Sequence, residues 1–554
     1  MPNISNRDVA FLAAEAIAAI ILLLVVFALP GLGSGILKPI EERFKRLAKR
    51  PSLAIIVVGL APIVVRLFLF ALAQIPAPHV HDEFSYLLAS ETFASGRLTN
   101  PTHPLWIHFE TFHEEHQPSY MSMYPPAQGL IMAMGKVVFG HPWFGVCLSI
   151  GIMCAAICWM LQAWLPPKWA LLGATFALLR IGIYSYWMNG YFGGAAAAIG
   201  GSLMLGALPR IIRRPRVGIT LVFAFGVTIL ANSRPFEGAM LAIPAIGALF
   251  AWSVGRNRPP ARLIMLNVVT PFLTVLLLTA GAMGYYNWRV FGSPTSLPYQ
   301  VNRAAYAITP FFFWQQPKPE PTYRHKVMRD FYVSTEFPVW QRAQGIAGVL
   351  KEFMRKAGVA LLFFCGATLM IPLIMLPQVV RDRRLRTLVW IAAIFSVGVQ
   401  LNAFTVAHYF APATGLIYAI VVSCMRHLWV WRRGGQPVGR SLVQGISVLA
   451  VLLCALHLAV VPLNSDAGLW RERIQQQLDT NAGPQLAIVR YAPSHDPKSV
   501  EWVYNAADID AAKVVWAREM TPAQNRELLQ YFSNRKIWLV EPDSEPVRVT
   551  PYAP

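Results

Sequence analysis

Long apolar stretches, separated by short polar loops, run through most of the chain. Each is about 20 residues long, and a helix of that length crosses the roughly 30 Å hydrocarbon core of a bilayer. The pattern predicts about twelve membrane-spanning helices. They cover residues 9–30, 53–75, 143–164, 168–187, 193–208, 217–232, 237–253, 262–284, 357–378, 387–407, 411–429 and 441–463. The chain is therefore expected to be an α-helical polytopic membrane protein.

The composition agrees with this class. Of the 554 residues, 55% are hydrophobic and only 14% are charged, which lies outside the range of soluble domains. A single positive charge, Arg7, precedes the first apolar segment and a basic segment follows it, so we interpret it as an uncleaved span rather than a secretory signal. The six cysteines fall within apolar spans without metal-ligand spacing and give no evidence of disulfides.

Lysine and arginine in the short loops predict the orientation. With twelve spans, all the strongly basic loops fall on one side of the membrane, which the positive-inside rule makes the cytoplasmic side. These loops are residues 38–50, 209–216, 255–262, 381–386 and 426–440. The net charge of +20 then reflects topology and contact with anionic lipids, and no nucleic-acid partner is implied. We expect an inner-membrane protein whose segments 76–142, 285–356 and 464–554 lie on the outer, periplasmic side.

Two of the outer segments show local patterns. In the first outer loop, residues 84–94 predict an amphipathic helix that ends at Gly96 and lies along the membrane surface, and residues 124–140 predict a second juxtamembrane helix that begins with prolines. Residues 464–554 predict a small soluble α/β domain with a helix capped by Thr521 and a closing strand near residue 538. The domains are therefore 1–463, within the membrane, and 464–554.

A carboxylate pair, Asp82 and Glu83, stands directly after the second span. Acidic residues are common at helix starts, where they cap backbone N–H groups and face the positive end of the helix dipole. A carboxylate at the outer interface can also serve as a general base that takes a proton from an acceptor hydroxyl or amine. The residues alone leave both interpretations open.

The surrounding motifs resemble the GT-C membrane glycosyltransferases, a superfamily that includes the protein O-mannosyltransferases and the lipid A aminoarabinose transferases. The resemblance begins with the Asp-Glu pair, Tyr86 and "SGRL" (95–98), followed by Pro125 and Pro126. It continues through "YSYWMNGYFGG" (184–194), "NSRPFEG" (232–238) and "YYNWRVFGSPTSLPYQ" (285–300), the last two being similar to segments of bacterial family 39-type enzymes. It covers about residues 53–430.

The resemblance implies a GT-C-like fold with its active site at the outer face and a polyprenyl-phosphate-linked sugar as donor. It also implies that the catalytic base is the aspartate of the first outer loop, here Asp82, with Glu83 as an orienting or metal-contacting neighbour. The chain departs from the family pattern in its histidine-rich first outer loop and in an extra apolar span ahead of the fold.

A donor whose leaving group is a phosphate needs positive charge where negative charge develops. One candidate is Arg234, at the outer end of a span, although an (i, i+3) pair with Glu237 is the structural alternative. His408 and Tyr409 have a similar position. The second outer segment offers a further set, for which a solvated loop face is the alternative: Arg289, Arg303, Arg324, His325, Lys326 and Arg329. Side chains that could line a sugar pocket are Tyr86, Tyr124, Trp187, Asn189, Tyr191, Glu237 and Tyr409.

Six of the twelve histidines lie between residues 79 and 116 of the first outer loop, beside several glutamates. His113 and His116 are three apart, which on a helix would place both on one face, and with His79 and His81 they could bind Zn²⁺, Mn²⁺ or Mg²⁺. An acidic, solvated or acceptor-contacting loop is the alternative.

These observations favour an enzyme that transfers one sugar, with inversion, from a polyprenyl-phosphate carrier to a lipid, glycan or protein acceptor at the outer face of the inner membrane. Two other classes stay open. A metal-dependent membrane hydrolase would use the histidines, and a lipid or glycan transporter would place its ionisable groups near the bilayer midplane rather than at the outer span ends.

Overall fold

The computed structural model describes residues 6–31, 34–71, 74–256, 258–404, 406–460, 469–497 and 501–553. The ends of three predicted spans, at 72–75, 405 and 461–463, fall partly or wholly outside these residues, as does the expected domain boundary at 463–464. Most of the described chain is helical.

The first half of the chain contains ten helices and a small hairpin within its described residues. In chain order they are α1 (Asn6–Ala28), α2 (Ser34–Ala48), α3 (Pro51–Phe68), α4 (His81–Ala94), β1 (Glu114–Glu115), β2 (Met121–Ser122), α5 (Pro126–Phe139), α6 (Pro142–Trp164), α7 (Pro167–Ala177), α8 (Gly194–Arg213), α9 (Val217–Ala231) and α10 (Pro235–Val254). The strands β1 and β2 pair antiparallel within the first outer loop.

The chain continues with further helices up to residue 460. They are α11 (Ala261–Ile264), α12 (Thr270–Phe291), α13 (Pro298–Ala305), α14 (Lys326–Arg329), α15 (Phe337–Arg342), α16 (Gly345–Phe364), α17 (Gly366–Met370), α18 (Leu376–Arg381), α19 (Arg386–Gln400), α20 (Thr414–Trp429) and α21 (Val438–Val460). A π-helical segment joins α11 to α12, so that they form one long rod.

Among the described residues, eight helical segments are long and apolar enough to cross a membrane, or nine if α16 and α17–α18, which meet at an angle of 109°, count as one broken span. The protein is therefore a multi-pass membrane protein, but the count of twelve is not confirmed. Three predicted spans correspond to the shorter helices α7, α9 and α19, with 11, 15 and 15 residues. The apolar window at 168–187 extends beyond its α-helix, which ends at Ala177 before a π-helical turn.

The Gly- and Ala-rich stretch near residue 200 forms α8, a core helix of the bundle. Sixteen of its 20 residues are buried. A Cβ on Gly201 would lie only 1.8 Å from the carbonyl oxygen of Pro412, so the absence of a side chain lets the two backbones approach closely. Small residues therefore serve helix packing here.

Helix α4 differs from the surface helix that the sequence predicts. It ends at Ala94 before Gly96, as expected, but its consecutive residues 83–86 and 88–90 are buried, so no single face is solvated. On one side α5 packs so closely that a Cβ on Gly129 would meet Ala89 at 2.7 Å. On another, the C-terminal domain covers it, with the rings of Phe84 and Tyr504 stacked 4.2 Å apart. The expectation of an amphipathic surface helix was wrong because these two neighbours enclose it.

The C-terminal residues form the expected α/β unit. It contains α22 (Leu469–Thr480), β3 (Gln485–Val489), β4 (Val514–Arg518), α23 (Pro522–Tyr531), β5 (Lys536–Glu541) and β6 (Arg548–Pro551). The strand order is β4-β3-β5-β6, parallel except for the last pair. Thr521 caps α23 by accepting from the backbone N–H of Gln524. The sequence pattern did not predict β6. This strand, rather than β5, forms the edge of the sheet.

This unit shares a hydrophobic core with the first outer loop. Leu88, Phe109 and Tyr120 of the loop belong to the same buried cluster as Leu486 and Ile488 of β3. Arg518 at the end of β4 ties the two parts together, because its guanidinium pairs with Glu501 at 3.0 Å and donates to the carbonyl oxygen of Glu110 at 2.8 Å. The domain thus packs directly against the first outer loop and helps to shape it.

We expect Arg518→Ala to destabilise the outer region strongly. The Arg518–Glu501 pair is almost fully buried, and removal of one partner of a buried pair costs about 3 to 5 kcal/mol. Arg490→Ala is the matched control, since its pair with Glu519 is half exposed and is worth about 1 kcal/mol or less. The midpoint of thermal unfolding in detergent measures the difference, and equal shifts for the two variants would contradict the structural role of Arg518.

Candidate active site at the start of helix α4

Asp82 lies in the first turn of α4, where the extended backbone of Val80 turns into the helix. Its Oδ1 accepts a hydrogen bond from the hydroxyl of Tyr124 and lies 2.9 Å from Nδ1 of His113. The tyrosine hydroxyl is also 3.2 Å from that nitrogen, so the three groups form a closed triangle. A quarter of the Asp82 side chain stays exposed, so the carboxylate is accessible to a ligand.

His113 is held in an unusual backbone conformation. Its φ is +60°, in the left-handed region, and no other non-glycine residue described by the structure has a positive φ. Its carbonyl oxygen accepts from the hydroxyl of Ser85 at 2.6 Å and from the backbone N–H of Met123 at 3.1 Å. Strained residues that their surroundings fix in this way are concentrated at functional sites. The strain aims the imidazole at Asp82.

Electrostatics keep Asp82 ionised. Burial by itself raises the pKa of Asp82, but the hydrogen bond and charge of His113, followed by His408 and Tyr124, hold it well below its ordinary value. Because a carboxylate only accepts hydrogen bonds, Nδ1 of His113 carries the proton in its contact with Asp82. Nε2 makes no hydrogen bond within the described part of the chain. Asp82 and His113 together therefore form a unit that can receive a proton.

Glu83 points away from this triangle. Its carboxylate is fully buried, where Oε2 accepts from the backbone N–H of His79 at 3.0 Å and Oε1 accepts from that of Tyr191 at 3.0 Å. Burial raises the pKa of Glu83, and the charge of His79 and these hydrogen bonds oppose the rise. The structure thus places Glu83 as a link between the start of α4 and the 184–194 loop.

Arg234 lies at the N-terminus of α10, with only 6% of its surface exposed. Its guanidinium stacks over the ring of Tyr409 at 4.9 Å and interacts electrostatically with Tyr299, Tyr86 and Glu237. It forms no ion pair and no side-chain hydrogen bond with any residue in the described ranges. The direct Arg234–Glu237 pair, considered above as the structural alternative, is therefore not formed. A buried cation of this kind suits an anionic ligand.

Aromatic rings connect Arg234 with Asp82. Tyr124 stacks on Tyr86 at 4.5 Å and meets Tyr299 edge-on at 5.5 Å. The hydroxyl of Tyr299 is buried without a hydrogen-bond partner among the described residues. His408, whose Nδ1 lies 3.2 Å from the hydroxyl of Tyr186, interacts electrostatically with both Asp82 and Arg234. We use the name catalytic cavity for the cluster formed by Asp82, His113, Tyr124, Tyr86, Tyr299, Arg234, His408 and Tyr409, together with the space around the exposed part of Asp82.

The outer basic segment is arranged differently, since most of its cations have carboxylate partners. Arg303 pairs with Glu336 at 2.7 Å, Arg324 with Glu110 at 3.1 Å, Arg329 with Glu320 at 2.6 Å, and Lys326 with Asp330. His325 lies 2.7 Å from the carbonyl oxygen of Ile107, and the exposed Arg289 donates to the hydroxyl of Tyr285 at 3.3 Å. The charges of Arg303, Arg324, Lys326 and Arg329 are therefore compensated locally. Arg303 also interacts electrostatically with Tyr409, the ring that stacks on Arg234.

The 184–194 loop is fixed in place by contacts of three residues that were candidates for the sugar pocket. Asn189 accepts from Nε of Arg66 at 2.9 Å, and the hydroxyl of Tyr191 donates to the carbonyl oxygen of Pro76 at 2.9 Å. Trp187 is fully buried against Phe363. These three candidates for the sugar pocket are engaged in contacts that hold the loop in place.

The histidines of the first outer loop are dispersed. His113 and His116 flank strand β1, so the shared helical face expected from their spacing is wrong. His79 pairs with Glu83 at 3.2 Å, His81 lies 2.9 Å from the hydroxyl of Tyr504, and His116 stacks on Tyr120. Across the described ranges, no three His, Cys, Asp or Glu side chains come together closely enough to hold a metal ion. The four histidines therefore do not form a common metal site.

Two members of the catalytic cavity were not expected there from the sequence. Tyr299 stands within the quoted motif of residues 285–300, but nothing in its local pattern separates it from the neighbouring aromatics. His113 was a candidate metal ligand, and its contact with Asp82 depends on a backbone conformation that spacing does not reveal.

We expect Tyr124→Phe to make transfer more sensitive to acid. Loss of the hydroxyl removes a hydrogen bond to the ionised carboxylate, so the pKa of Asp82 rises towards its ordinary value. A group with a lowered pKa stays functional until the pH falls through that pKa, so the acid limb of the rate profile moves to higher pH in the variant. Initial rates below about pH 4, where the carboxyl group titrates at or below its ordinary pKa, measure this shift. Tyr285→Phe, on the exposed side of α12, is the control, and an unmoved acid limb in Tyr124→Phe would contradict the assignment.

No protein-family model matches the sequence, and no curated protein is significantly similar to it. Among solved structures, the chain is similar to the oligosaccharyltransferase of Archaeoglobus fulgidus with a tethered acceptor peptide, at 12% identity and a TM-score of 0.48, over 88% of this chain and 68% of that one. It is also similar to ArnT from Cupriavidus metallidurans in the apo state, at 13% identity and a TM-score of 0.44, over 87% and 92% of the two chains.

A third similar structure is the oligosaccharyltransferase AglB of Archaeoglobus fulgidus, in complex with an inhibitory peptide and a dolichol-phosphate. The identity is 10% and the TM-score 0.39, over 89% of this chain and 69% of that one. Similarities of this size carry no assignment by themselves, and the function proposed below rests on the side chains of the catalytic cavity.

Proposed function

We propose that the protein is a GT-C-type membrane glycosyltransferase, which moves a sugar from a polyprenyl-phosphate-linked donor to an acceptor at the outer face of the inner membrane. The observation that carries this proposal is the pairing of two features in one cavity. Arg234 is a buried cation that makes no ion pair or side-chain hydrogen bond at contact distance among the described residues, and Asp82 with His113 forms an ionised, proton-accepting pair. Transfer of a sugar from a phosphate carrier needs a cation that stabilises the leaving phosphate and a group that takes the proton of the acceptor.

Arg234 is the group we assign to the donor phosphate. When the bond between the sugar and the phosphate breaks, the phosphate oxygen takes the electron pair, and a fixed cation stabilises that charge. Arginine can hold a phosphate through two parallel hydrogen bonds, and a buried position strengthens the attraction. The unpartnered hydroxyl of Tyr299 supplies a further donor on the same side of the cavity.

The Asp82–His113 pair is the group we assign to the acceptor. As the acceptor hydroxyl attacks the anomeric carbon, its proton moves to this pair, and the carrier leaves as polyprenyl phosphate from the opposite face of the sugar. The result is transfer with inversion. Asp82 contributes the negative charge and orients the imidazole, and Tyr124 fixes the carboxylate. General base catalysis of this kind contributes about 10² to 10⁴ in rate.

The arrangement of the helices supports the outer location that we propose. In α2, Glu41 meets Lys168 at 2.8 Å and Arg440 at 3.5 Å, which places the starts of α7 and α21 and the basic 38–50 segment at one end of the bundle. Arg66, near the other end of α3, contacts Asn189 on the side of the catalytic cavity. With the basic end cytoplasmic, the cavity and the 464–554 domain lie outside.

A transfer assay tests the proposed function. The purified full chain in detergent is incubated with radiolabelled polyprenyl-phosphate sugars and a membrane extract as the source of acceptors. We expect label to move to the acceptor fraction with release of an equal amount of polyprenyl phosphate, and a chelator to leave the rate unchanged. Label that stays on the donor throughout the panel would contradict transfer, and activity that a chelator abolishes would favour the metal-dependent hydrolase.

A further inference from the structure

A second cavity lies between the first outer loop and the second outer segment, with a volume of about 270 Å³. Among its lining residues are Trp106, Glu115, Gln117, Tyr306, Tyr323 and Arg324. None of them belongs to the catalytic cavity, and the function proposed above gives them no role. We call this space the outer cavity.

An aromatic wall separates the two cavities while keeping them adjacent. Phe112 packs in one buried cluster with Tyr306 and Tyr323 of the outer cavity, and its ring lies 4.5 Å from that of Phe331. The ring of Phe331 is in turn 5.8 Å from that of His113. The layer formed by Phe112 and Phe331 thus lies between the outer cavity and the Asp82–His113 pair.

The charges that border the outer cavity are balanced. Glu110 accepts from Arg324 at 3.1 Å and from the hydroxyl of Tyr306 at 2.9 Å, so the buried carboxylate is already paired. Arg324 also covers the ring of Trp106 at 4.6 Å. The cavity therefore has no unbalanced charge that would select a phosphate or a cation.

Glu115 is the unusual member of the set. It is 3% exposed, and its Oε1 has no hydrogen-bond partner among the described residues. Burial raises the pKa of Glu115 to about 8, with Asn302 opposing the rise, so at neutral pH the side chain is a carboxylic acid that both donates and accepts. Glu115 is part of the cavity lining, so its carboxyl group suits a ligand with hydroxyl or amide groups.

We propose that the outer cavity binds a neutral saccharide unit of the acceptor, an inference that rests on the proposed glycosyl transfer and specifies its acceptor as a glycan. Sugar hydroxyls both donate and accept, as do the Glu115 carboxyl and the Gln117 amide. The hydroxyls of Tyr306 and Tyr323 already donate within the protein, so their oxygens can accept from a sugar. The apolar faces of a sugar ring match aromatic side chains, which Trp106, Tyr306 and Tyr323 provide. The outer cavity borders the Phe112–Phe331 layer, and Phe331 in turn contacts His113, so a glycan held here lies next to the Asp82–His113 pair.

Saturation-transfer NMR tests saccharide binding without any donor. The full chain is kept in a detergent that has no sugar headgroup, and the probes are maltotriose, chitotriose and, as a comparator, an Ala-Thr-Ala peptide. We expect at least one trisaccharide to bind in preference to the peptide. Binding of neither trisaccharide, or preferential binding of the peptide, overturns the proposal.

Variants then locate the binding. We expect Gln117→Ala, at an exposed side chain whose loss leaves the fold intact, to weaken saccharide binding about fivefold, as for one lost hydrogen bond. Trp106→Ala should weaken it about tenfold or more, as truncation of a buried aromatic in a binding site does. Arg329→Ala, in the same outer segment but outside the lining, is the control. Saccharide binding that is unchanged in both cavity variants overturns the assignment to this cavity.

The rate at which water slowly cleaves the donor is a second measurement. It distinguishes failure of the saccharide site from failure of the proposed glycosyl transfer. In Gln117→Ala, we expect release of polyprenyl phosphate to water at the wild-type rate together with reduced transfer to the glycan acceptor. A wild-type protein that binds the trisaccharide but never cleaves any donor contradicts the glycosyltransferase and leaves the saccharide site standing. Donor cleavage that falls together with transfer in Gln117→Ala overturns the acceptor role.

Discussion

Asp82→Asn is expected to lower the rate of sugar transfer about a thousandfold, which is within the range of general base catalysis. The amide keeps the size of the side chain and can still accept from Tyr124, but it lacks the charge that orients His113 and stabilises the transferred proton. Donor binding should change little, because Arg234 is untouched. Initial rates with labelled donor at saturating concentration measure the effect.

The controls follow from the geometry. Glu320→Gln makes the same chemical change at an exposed outer carboxylate that pairs with Arg329, and we expect it to transfer at the wild-type rate. His113→Ala should be severely impaired, and the double variant with Asp82→Asn should be hardly worse than either single one, because the two residues act as a unit. Wild-type turnover by Asp82→Asn would exclude its catalytic role.

Arg234→Ala is expected to weaken donor binding by about ten- to a hundredfold, the loss that accompanies removal of hydrogen bonds to a charged group. The Arg234→Lys variant keeps the charge but not the planar fork, so we expect it to recover only part of the affinity. Binding of polyprenyl phosphate to the purified chain, followed by calorimetry or by competition with labelled donor, measures the loss.

The cations of the outer segment that already have carboxylate partners provide a control for Arg234→Ala. Arg324→Ala combined with Lys326→Ala should leave donor affinity unchanged, because Glu110 and Asp330 already neutralise these side chains. If the double variant lost the donor while Arg234→Ala retained it, the phosphate site would lie in the outer segment and the assignment of Arg234 would be wrong.

Local signals in the sequence predicted much of the secondary structure. Pro126 at the first position of α5, Gly140 at its left-handed end, and Thr521 with Pro522 at the start of α23 all act within a few residues of themselves. The number of spans depends instead on where a helix stops inside an apolar stretch. At Ala177 the α-helix gives way to a π-helical turn although the hydrophobicity continues, and composition carries no signal for that.

The same difference between local signals and long-range contacts applies to the candidate site. Asp82, Tyr124, Arg234 and His408 are far apart in sequence, but each stands at an end of an apolar segment, and the structure gathers them around one cavity. The basic residues near 320–330 looked equally suitable because a count of charges does not show partners. The pair of Arg324 with Glu110 joins two different loops, and only the fold reveals it.

Photocrosslinking of the donor phosphate tests the central claim most directly, that the catalytic cavity holds the carrier. A polyprenyl phosphate with a diazirine next to its phosphate is bound to the purified chain, irradiated, and the labelled peptides are identified by mass spectrometry. We expect label on peptides that contain Tyr86, Arg234, Tyr299 or Tyr409, removed by excess polyprenyl phosphate and lost in Arg234→Ala. Competable label confined to residues 318–329, with none in the catalytic cavity, would contradict it.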